Sequence, residues 1–153
     1  MCSDGIRSNS DIAAKEPAAS RKRVLLADDH AAMLDEVRAL LGEDYEVVGA
    51  VENGEKLVEA ASALNPDVIV SDISMPVMTG FEAAAKIRQL GIASRIIFLT
   101  VQSSTAYLKK ARALGADGYV LKIYTNEQLP VAVASVLTGT PYFSPQLRAG
   151  SSN

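Results

Sequence analysis

The stretch VLLADDH, at residues 24–30, decides the fold, because four apolar residues run directly into two aspartates. Apolar residues at consecutive positions are typical of a strand that helices cover on both faces of a parallel sheet. Two adjacent carboxylates at the end of a strand are costly unless a cation or a hydrogen-bond donor compensates their charge. The stretch therefore predicts a buried strand that ends at a charged site.

Four more strands carry the same signal, and segments with helical spacing separate them. These strands are predicted at YEVVGAV (45–51), DVIVS (67–71), RIIFLT (95–100) and GYVL (118–121). Strict alternation of strand and helix indicates parallel pairing with right-handed connections. We therefore expect an α/β protein with a five-stranded parallel sheet, a flavodoxin-like (βα)5 fold and the strand order 2-1-3-4-5.

The helix ends carry their own signals. A glycine follows the last apolar residue of three predicted helices, where a left-handed cap is favoured: Gly42, Gly91 and Gly115. Asn65 and Pro66 end another helix, because proline cannot continue it. Thr125, with Gln128 three residues later, predicts a capping box at the start of the last helix.

The composition narrows the class of protein. The chain has 153 residues, 48% hydrophobic and 22% charged, with a net charge of −3, which argues against a nucleic-acid-binding surface over the whole domain. No apolar run is long enough for a membrane span, and the N-terminus lacks the apolar segment of a secretory signal. Cys2 is the single cysteine, so no internal disulfide can form. We expect a cytoplasmic protein with a disordered tail at 1–21, a folded domain at 22–138 and a linker or tail at 139–153.

Charged and hydroxyl side chains follow the predicted strands. The carboxyl ends of parallel strands meet at one edge of a sheet, which is where α/β proteins bind ligands. The side chains expected there are Asp28, Asp29, Asp72, Thr100 and Lys122. Each alone has a simple explanation as a helix cap, a strand end or a solvated lysine, but together they predict a site. Oxygen ligands suit Mg²⁺ or Mn²⁺, and an aspartate beside a cation can accept a phosphoryl group.

Several motifs give the chain a resemblance to the receiver domain of two-component response regulators. They are VLLADDH, DVIVSDISMPVMTGFEAAAKIR, RIIFLT and GADGYVLK, and they occur in the expected order. The resemblance covers residues 22–138. It implies a signalling domain that catalyses only its own phosphorylation and dephosphorylation, with a sensor histidine kinase as its partner.

The resemblance also implies individual roles. Asp72 would accept the phosphoryl group from a phosphohistidine. Asp29, Asp72 and the backbone carbonyl of Ser74 would coordinate Mg²⁺, and Asp28 would act mainly through water. Lys122 would pair with the phosphoryl group.

Further roles concern switching and the loop after the acceptor. Thr100 would move toward the phosphoryl group, and Tyr119 would be the rotating aromatic residue. The surface of the fourth and fifth helices and the fifth strand would then change. The residues that would shape the loop after the acceptor are Met75, Pro76 and Gly80.

Some positions depart from the commonest family pattern. Ile123 stands where many receivers have proline, and Val101 stands where a smaller residue is frequent. Ser74 and Gln102 lie at positions that tune hydrolysis, so the resemblance does not set the lifetime of the aspartyl-phosphate. His30 is expected to be an unligated residue near a helix N-terminus, because Mg²⁺ prefers oxygen.

The basic segment at 107–112 leaves two interpretations open. Lys109, Lys110 and Arg112 can form a solvated helix face or a surface for a partner.

The end of the chain bears on the output. ADDH, FLTV, GADGYVLK and GTPYFSPQL are similar to regulators that join a receiver to a LuxR-type helix-turn-helix after a linker like residues 139–148. No helix-turn-helix is evident here, so we expect no DNA binding by this chain alone.

Several alternatives stay open. The chain can be part of a longer transcription regulator or a single-domain regulator that acts by protein contact, and a phosphorylation-linked homodimer is compatible with either. A receiver fold that works without phosphate is a rival, which the intact set of five site residues disfavours. A phosphotransferase or hydrolase that acts on free substrates would need a second acid or base and a substrate pocket.

Overall fold

Every strand predicted from an apolar run is present in the computed structural model of the chain, which describes residues 20–147. The strands are β1 (Arg23–Ala27), β2 (Glu46–Val51), β3 (Val68–Ser71), β4 (Arg95–Thr100), β5 (Gly118–Leu121) and β6 (Tyr142–Phe143). They form one sheet in the order β2-β1-β3-β4-β5-β6, and all neighbours are parallel. The flavodoxin-like α/β fold and the order of its first five strands are confirmed.

Five helices cover the two faces of the sheet. They are α1 (Ala31–Leu41), α2 (Gly54–Leu64), α3 (Gly80–Gln89), α4 (Thr105–Ala113) and α5 (Thr125–Leu137), with a short 3-10 turn at Lys122–Tyr124. Successive residues of β1 alternate between two cores: Leu25 packs with α2, α3 and α4, whereas Val24 and Leu26 pack with α1 and α5. Because both faces are buried, β1 must be apolar at consecutive positions.

Most of the predicted helix ends agree with the structure. The predicted caps Gly42, Gly91 and Gly115 have positive φ of 57°, 78° and 86°, but the ψ of −138° places Gly42 outside the left-handed helical region. The prediction of a capping box at Thr125 was wrong, because its hydroxyl donates instead to the carbonyl of Lys122 (2.6 Å), in the 3-10 turn that precedes α5. A complete capping box occurs at the start of α3, between Thr79 and Glu82.

The sixth strand was not anticipated, because its residues lie in the stretch that we expected to be a linker. It pairs with β5 through Gly118↔Tyr142 and Tyr119↔Phe143. Ser144, which follows it, is fully buried. Its N–H donates to the carbonyl of Tyr119 (2.8 Å). The segment after α5 is therefore bonded to the outer edge of β5.

The hydroxyl of Ser144 joins this segment to both β5 and α5. It accepts from the N–H of Leu121 (3.1 Å) and donates to Oε1 of Gln128 (2.6 Å). Nε2 of Gln128 in turn donates to Oε1 of Gln146 (2.9 Å). Gln128, which we expected to serve a cap, thus helps to hold the end of the described chain.

Two predictions concern residues outside the described range. They are the tail at 1–21, of which residues 1–19 with Cys2 lie outside, and residues 148–153 of the linker or tail. Within residues 20–147, no helix combines the length and the apolarity that a membrane span requires.

Ser144→Ala tests how firmly this segment is held. The change should lower the free energy of unfolding by about 1–3 kcal/mol, because it leaves the buried N–H of Leu121 and Oε1 of Gln128 without this partner. Urea denaturation measures the loss, with Ser103→Ala in an exposed loop as the control. Equal stability of the two variants would contradict a bonded segment.

Candidate functional site

Two buried aspartates lie side by side at the carboxyl edge of the sheet. Ala27 and Ser71 are paired in the β1–β3 register, so the residues that follow them, Asp28 and Asp72, are neighbours. Their side chains are only 5–6% exposed. The backbone continues the ladder here, since the N–H of Asp72 donates to the carbonyl of Ala27 (2.9 Å).

The ammonium group of Lys122 bridges these two carboxylates. Its Nζ lies 2.8 Å from Oδ2 of Asp28 and 2.9 Å from Oδ2 of Asp72. Burial by itself lowers the pKa of Lys122, but the hydrogen bonds and charges of Asp28 and Asp72 outweigh burial and raise that pKa above its ordinary value. Lys122 is therefore a firmly charged counter-ion for the pair.

The remaining oxygens of the two carboxylates face in other directions. Oδ1 of Asp72 accepts from the N–H of Ile73 (2.6 Å). Oδ1 of Asp28 accepts from the N–H of His30 (2.9 Å) and lies 3.1 Å from Nδ1 of the same histidine. Asp29 is more exposed, at 32% of its side chain, and its Oδ1 lies 3.2 Å from the same Nδ1.

One ligand atom from each of four residues lies within 4.8 Å of the other three. The residues are Asp28, Asp29, His30 and Asp72. Three carboxylates and an imidazole are a donor set that fits a divalent cation. The predicted carboxylate ligands therefore come together, and His30, which the sequence predicts to be unligated, lies beside them.

The loop after Asp72 turns back tightly against the strand. The N–H of Gly80 donates to the carbonyl of Ile73 (2.7 Å), and a Cβ at Gly80 would collide with the carbonyl of Asp72. Within this loop, Val77 has a φ of 70°, which is strained for a β-branched residue. The loop predicted around Met75, Pro76 and Gly80 thus needs glycine at its end.

Thr100 and Tyr119 are both fully buried and share one partner. Oγ1 of Thr100 accepts from the N–H of Gln102 (3.2 Å), and the hydroxyl of Tyr119 donates to the carbonyl of Gln102 (2.6 Å). Burial, assisted by the nearby Tyr107 and Asp72, raises the pKa of Tyr119 well above its ordinary value. The sequence singled out Gln102 only for hydrolysis, and could not reveal that its backbone joins the two residues.

Some predicted residues lie at the margin of the cluster. Ser74 is exposed, two positions after Asp72, and the role of its backbone carbonyl stays a prediction. Val101 and Ile123 are 69% and 77% exposed, directly after Thr100 and Lys122.

The basic residues of α4 are exposed, and two of them lie against aromatic rings. Nζ of Lys110 lies 5.5 Å from the ring centroid of Phe81, and the guanidinium of Arg112 lies 4.3 Å from that of Phe143. Neither the solvated face nor the partner surface is excluded by these contacts.

The carboxylates and the lysine at the edge of a parallel sheet agree with the protein family that the sequence matches. Residues 24–134 match the response regulator receiver domain. The chain belongs to this family.

Individual relatives show two sizes of protein. The chain is 36% identical over 117 residues to the chemotaxis protein CheY of Halobacterium salinarum. The aligned region covers 76% of this chain and 98% of that protein. It is 35% identical over 145 residues to the nitrate/nitrite response regulator protein NarL of Escherichia coli, covering 88% of this chain but only 65% of that protein. The chain therefore spans about two thirds of the length of this nitrate/nitrite response regulator.

A solved structure gives the same assignment. A two-component response regulator of the LuxR family from Aurantimonas superposes with a TM-score of 0.81 at 31% identity, covering 85% of this chain and 94% of that one. The similarity to LuxR-family regulators that the sequence suggested is thus confirmed.

Lys122→Met tests the charge balance of the site. The variant leaves Asp28 and Asp72 buried without their counter-ion, so the free energy of unfolding should fall by about 3 kcal/mol. Mg²⁺ should restore part of the loss, because a cation bound to the carboxylates replaces the missing charge. Urea denaturation with and without Mg²⁺ measures both effects.

The pH dependence has a definite sign. Because the pKa of Lys122 is raised on folding, its contribution is fully present below the ordinary lysine value of about 10.4 and is lost as pH rises through the higher folded value. The stability gap between wild type and variant should therefore be retained up to about pH 10 and shrink above it. Lys56→Ala, which breaks an exposed pair with Glu52, is the control, and equal losses in both variants would refute the assignment.

Proposed function

We propose that this chain accepts a phosphoryl group on Asp72 from the phosphohistidine of a sensor histidine kinase, in a reaction that depends on Mg²⁺. The observation that carries the proposal is the environment of Asp72. Its carboxylate is buried at the carboxyl edge of the sheet, with one oxygen on the Ile73 N–H and the other on the Lys122 ammonium. It is thus oriented and held beside a positive charge.

The chemistry follows from these contacts. A carboxylate oxygen of Asp72 attacks phosphorus, the new P–O bond forms, and the P–N bond to the donor imidazole breaks with its electron pair left on that imidazole. The ammonium of Lys122, 2.9 Å from Asp72, neutralises negative charge on the transferred group. The hydroxyl of Thr100 would turn from the N–H of Gln102 to donate to a phosphoryl oxygen.

The metal roles follow the positions of the acidic side chains. Asp29 and Asp72, with the backbone carbonyl of Ser74, would hold Mg²⁺, which supplies charge stabilisation when bound. Asp28 already accepts from Lys122 and from the N–H of His30. Its carboxylate is therefore better suited to act through water than as a direct ligand.

The conformational change caused by phosphorylation would be transmitted through the backbone of Gln102. When the Thr100 hydroxyl moves to the phosphoryl group, the bond from the Gln102 N–H is lost, and this releases the loop that also holds Tyr119. The phosphoryl group favours the rearranged form and shifts the population toward it. The surface of α4, β5 and α5 would change as a result.

The output is proposed to be control of transcription through a DNA-binding domain outside these 153 residues. The similarity to NarL and to a LuxR-family regulator supports it. A phosphorylation-linked homodimer would fit this output. A single-domain regulator that acts by protein contact is the second candidate, which the match to 98% of the CheY sequence favours.

Phosphorylation itself is the first test. Wild type incubated with Mg²⁺ and acetyl phosphate should gain one phosphoryl group, about 80 Da as the mass of added HPO₃, by intact mass spectrometry. Asp72→Asn should gain none, and Asp29→Ala should lose the dependence of labelling on Mg²⁺. Asp35→Asn, an exposed carboxylate on α1, is the matched control. Labelling of Asp72→Asn at the wild-type level would refute the proposal.

Thr100→Val tests the switch separately from the acceptor. Valine has a similar shape but no hydroxyl, so the variant should still bind beryllofluoride, a phosphoryl mimic, without passing the change to Tyr119. Sedimentation velocity should show a mimic-dependent increase in mass for wild type and a much smaller one for the variant. An unchanged mass in wild type would contradict phosphorylation-linked dimerisation.

A further inference from the structure

The ring of His30 faces the acidic cluster. Its Nδ1 lies 3.1 Å from Oδ1 of Asp28 and 3.2 Å from Oδ1 of Asp29. His30 is the residue before α1, with an extended backbone (φ −105°, ψ 108°) and no side-chain bond to the helix N-terminus. The ring is therefore not used as a cap, and it turns back toward the carboxylates.

These distances suit a shared cation better than a single hydrogen bond. One Nδ1–H can point well at only one acceptor, yet the two oxygens are almost equally far away. Ligands about 2.1 Å from an octahedral ion, at right angles to each other, are about 3.0 Å apart. The separation between Nδ1 of His30 and Oδ1 of Asp29, 3.2 Å, is close to that edge length.

The two oxygens of Asp28 contact different partners. Oδ2 is bound by Lys122, whereas Oδ1 faces His30. An ion held by His30 and Asp29 would therefore not compete with Lys122 for the same oxygen. The side chains of His30 and Asp29 are 69% and 32% exposed, so the ion can enter directly from solvent.

We propose that His30 is a nitrogen ligand of the divalent cation at this site, and that it makes the site prefer first-row transition ions over Mg²⁺. Imidazole suits first-row transition ions such as Ni²⁺, whereas Mg²⁺ favours oxygen. The inference rests on the proposed cation site and specifies which ion that site selects. Phosphorylation would accordingly respond to transition-metal supply as well as to the kinase.

The test uses the fact that the chain contains one histidine. Full-length, untagged protein labelled with ¹⁵N-histidine is loaded with Mn²⁺ alone in a nitrogen-free buffer and studied by pulsed electron paramagnetic resonance. Wild type should show a directly bound histidine nitrogen, and His30→Ala should not. Absence of that coupling in Mn²⁺-loaded wild type overturns the proposal.

Calorimetry gives the second measurement. His30→Ala should bind Ni²⁺ about tenfold or more weakly than wild type, a size usual for a lost interaction at a metal site, with a much smaller loss for Mg²⁺. His30→Asn, which retains a good residue at the helix start, guards against an effect of folding, and Asp35→Asn is the control. Equal losses for both ions would show that His30 is only a hydrogen-bond partner.

The two proposals fail separately. The nitrogen signal needs no phosphoryl donor. Absence of the signal would refute the role of His30, whereas the role of Asp72 as acceptor is tested separately by phosphorylation. If wild type shows the nitrogen signal but takes up no phosphoryl group, the role of Asp72 as acceptor is refuted and the role of His30 stands.

Discussion

The ammonium group of Lys122 between two buried carboxylates is the constraint on which the site depends. Asp28 and Asp72 are forced together because β1 and β3 are neighbours in register, and neither is exposed enough for water to screen its charge. Without Lys122, the edge of the sheet would carry uncompensated negative charge in a partly dry environment. In the proposed function, the lysine that stabilises the two carboxylates in the fold would also contact a phosphoryl group on Asp72.

Local sequence signals predicted the parts of the fold that depend on burial on both faces. Consecutive apolar residues indicated the five long strands, and the topological rules then placed Asp28, Asp72 and Lys122 at one edge. The sixth strand has only two residues, too few for any periodicity, and its stability comes from the bonds of Ser144. The capping box expected at Thr125 does not form, because the Thr125 hydroxyl donates instead to the carbonyl of Lys122 in the preceding 3-10 turn.

Other features of the site could not be predicted because they depend on backbone atoms or on side-chain direction. The shared role of Gln102 uses its N–H and carbonyl, which carry no sequence signal. His30 was set aside on the preference of Mg²⁺ for oxygen, but its ring reaches the carboxylates because it is not used as a helix cap. The segment after α5 lies against β5, and its residues 143 and 144 are next to Tyr119.

We propose that Asp72, and no other carboxylate of the cluster, receives the phosphoryl group. Borohydride reduces an aspartyl-phosphate to homoserine, so reduction of the phosphorylated protein followed by peptide mass mapping marks the acceptor. We expect homoserine at position 72 alone. Homoserine at Asp28 or Asp29, with Asp72 unmodified, would contradict it.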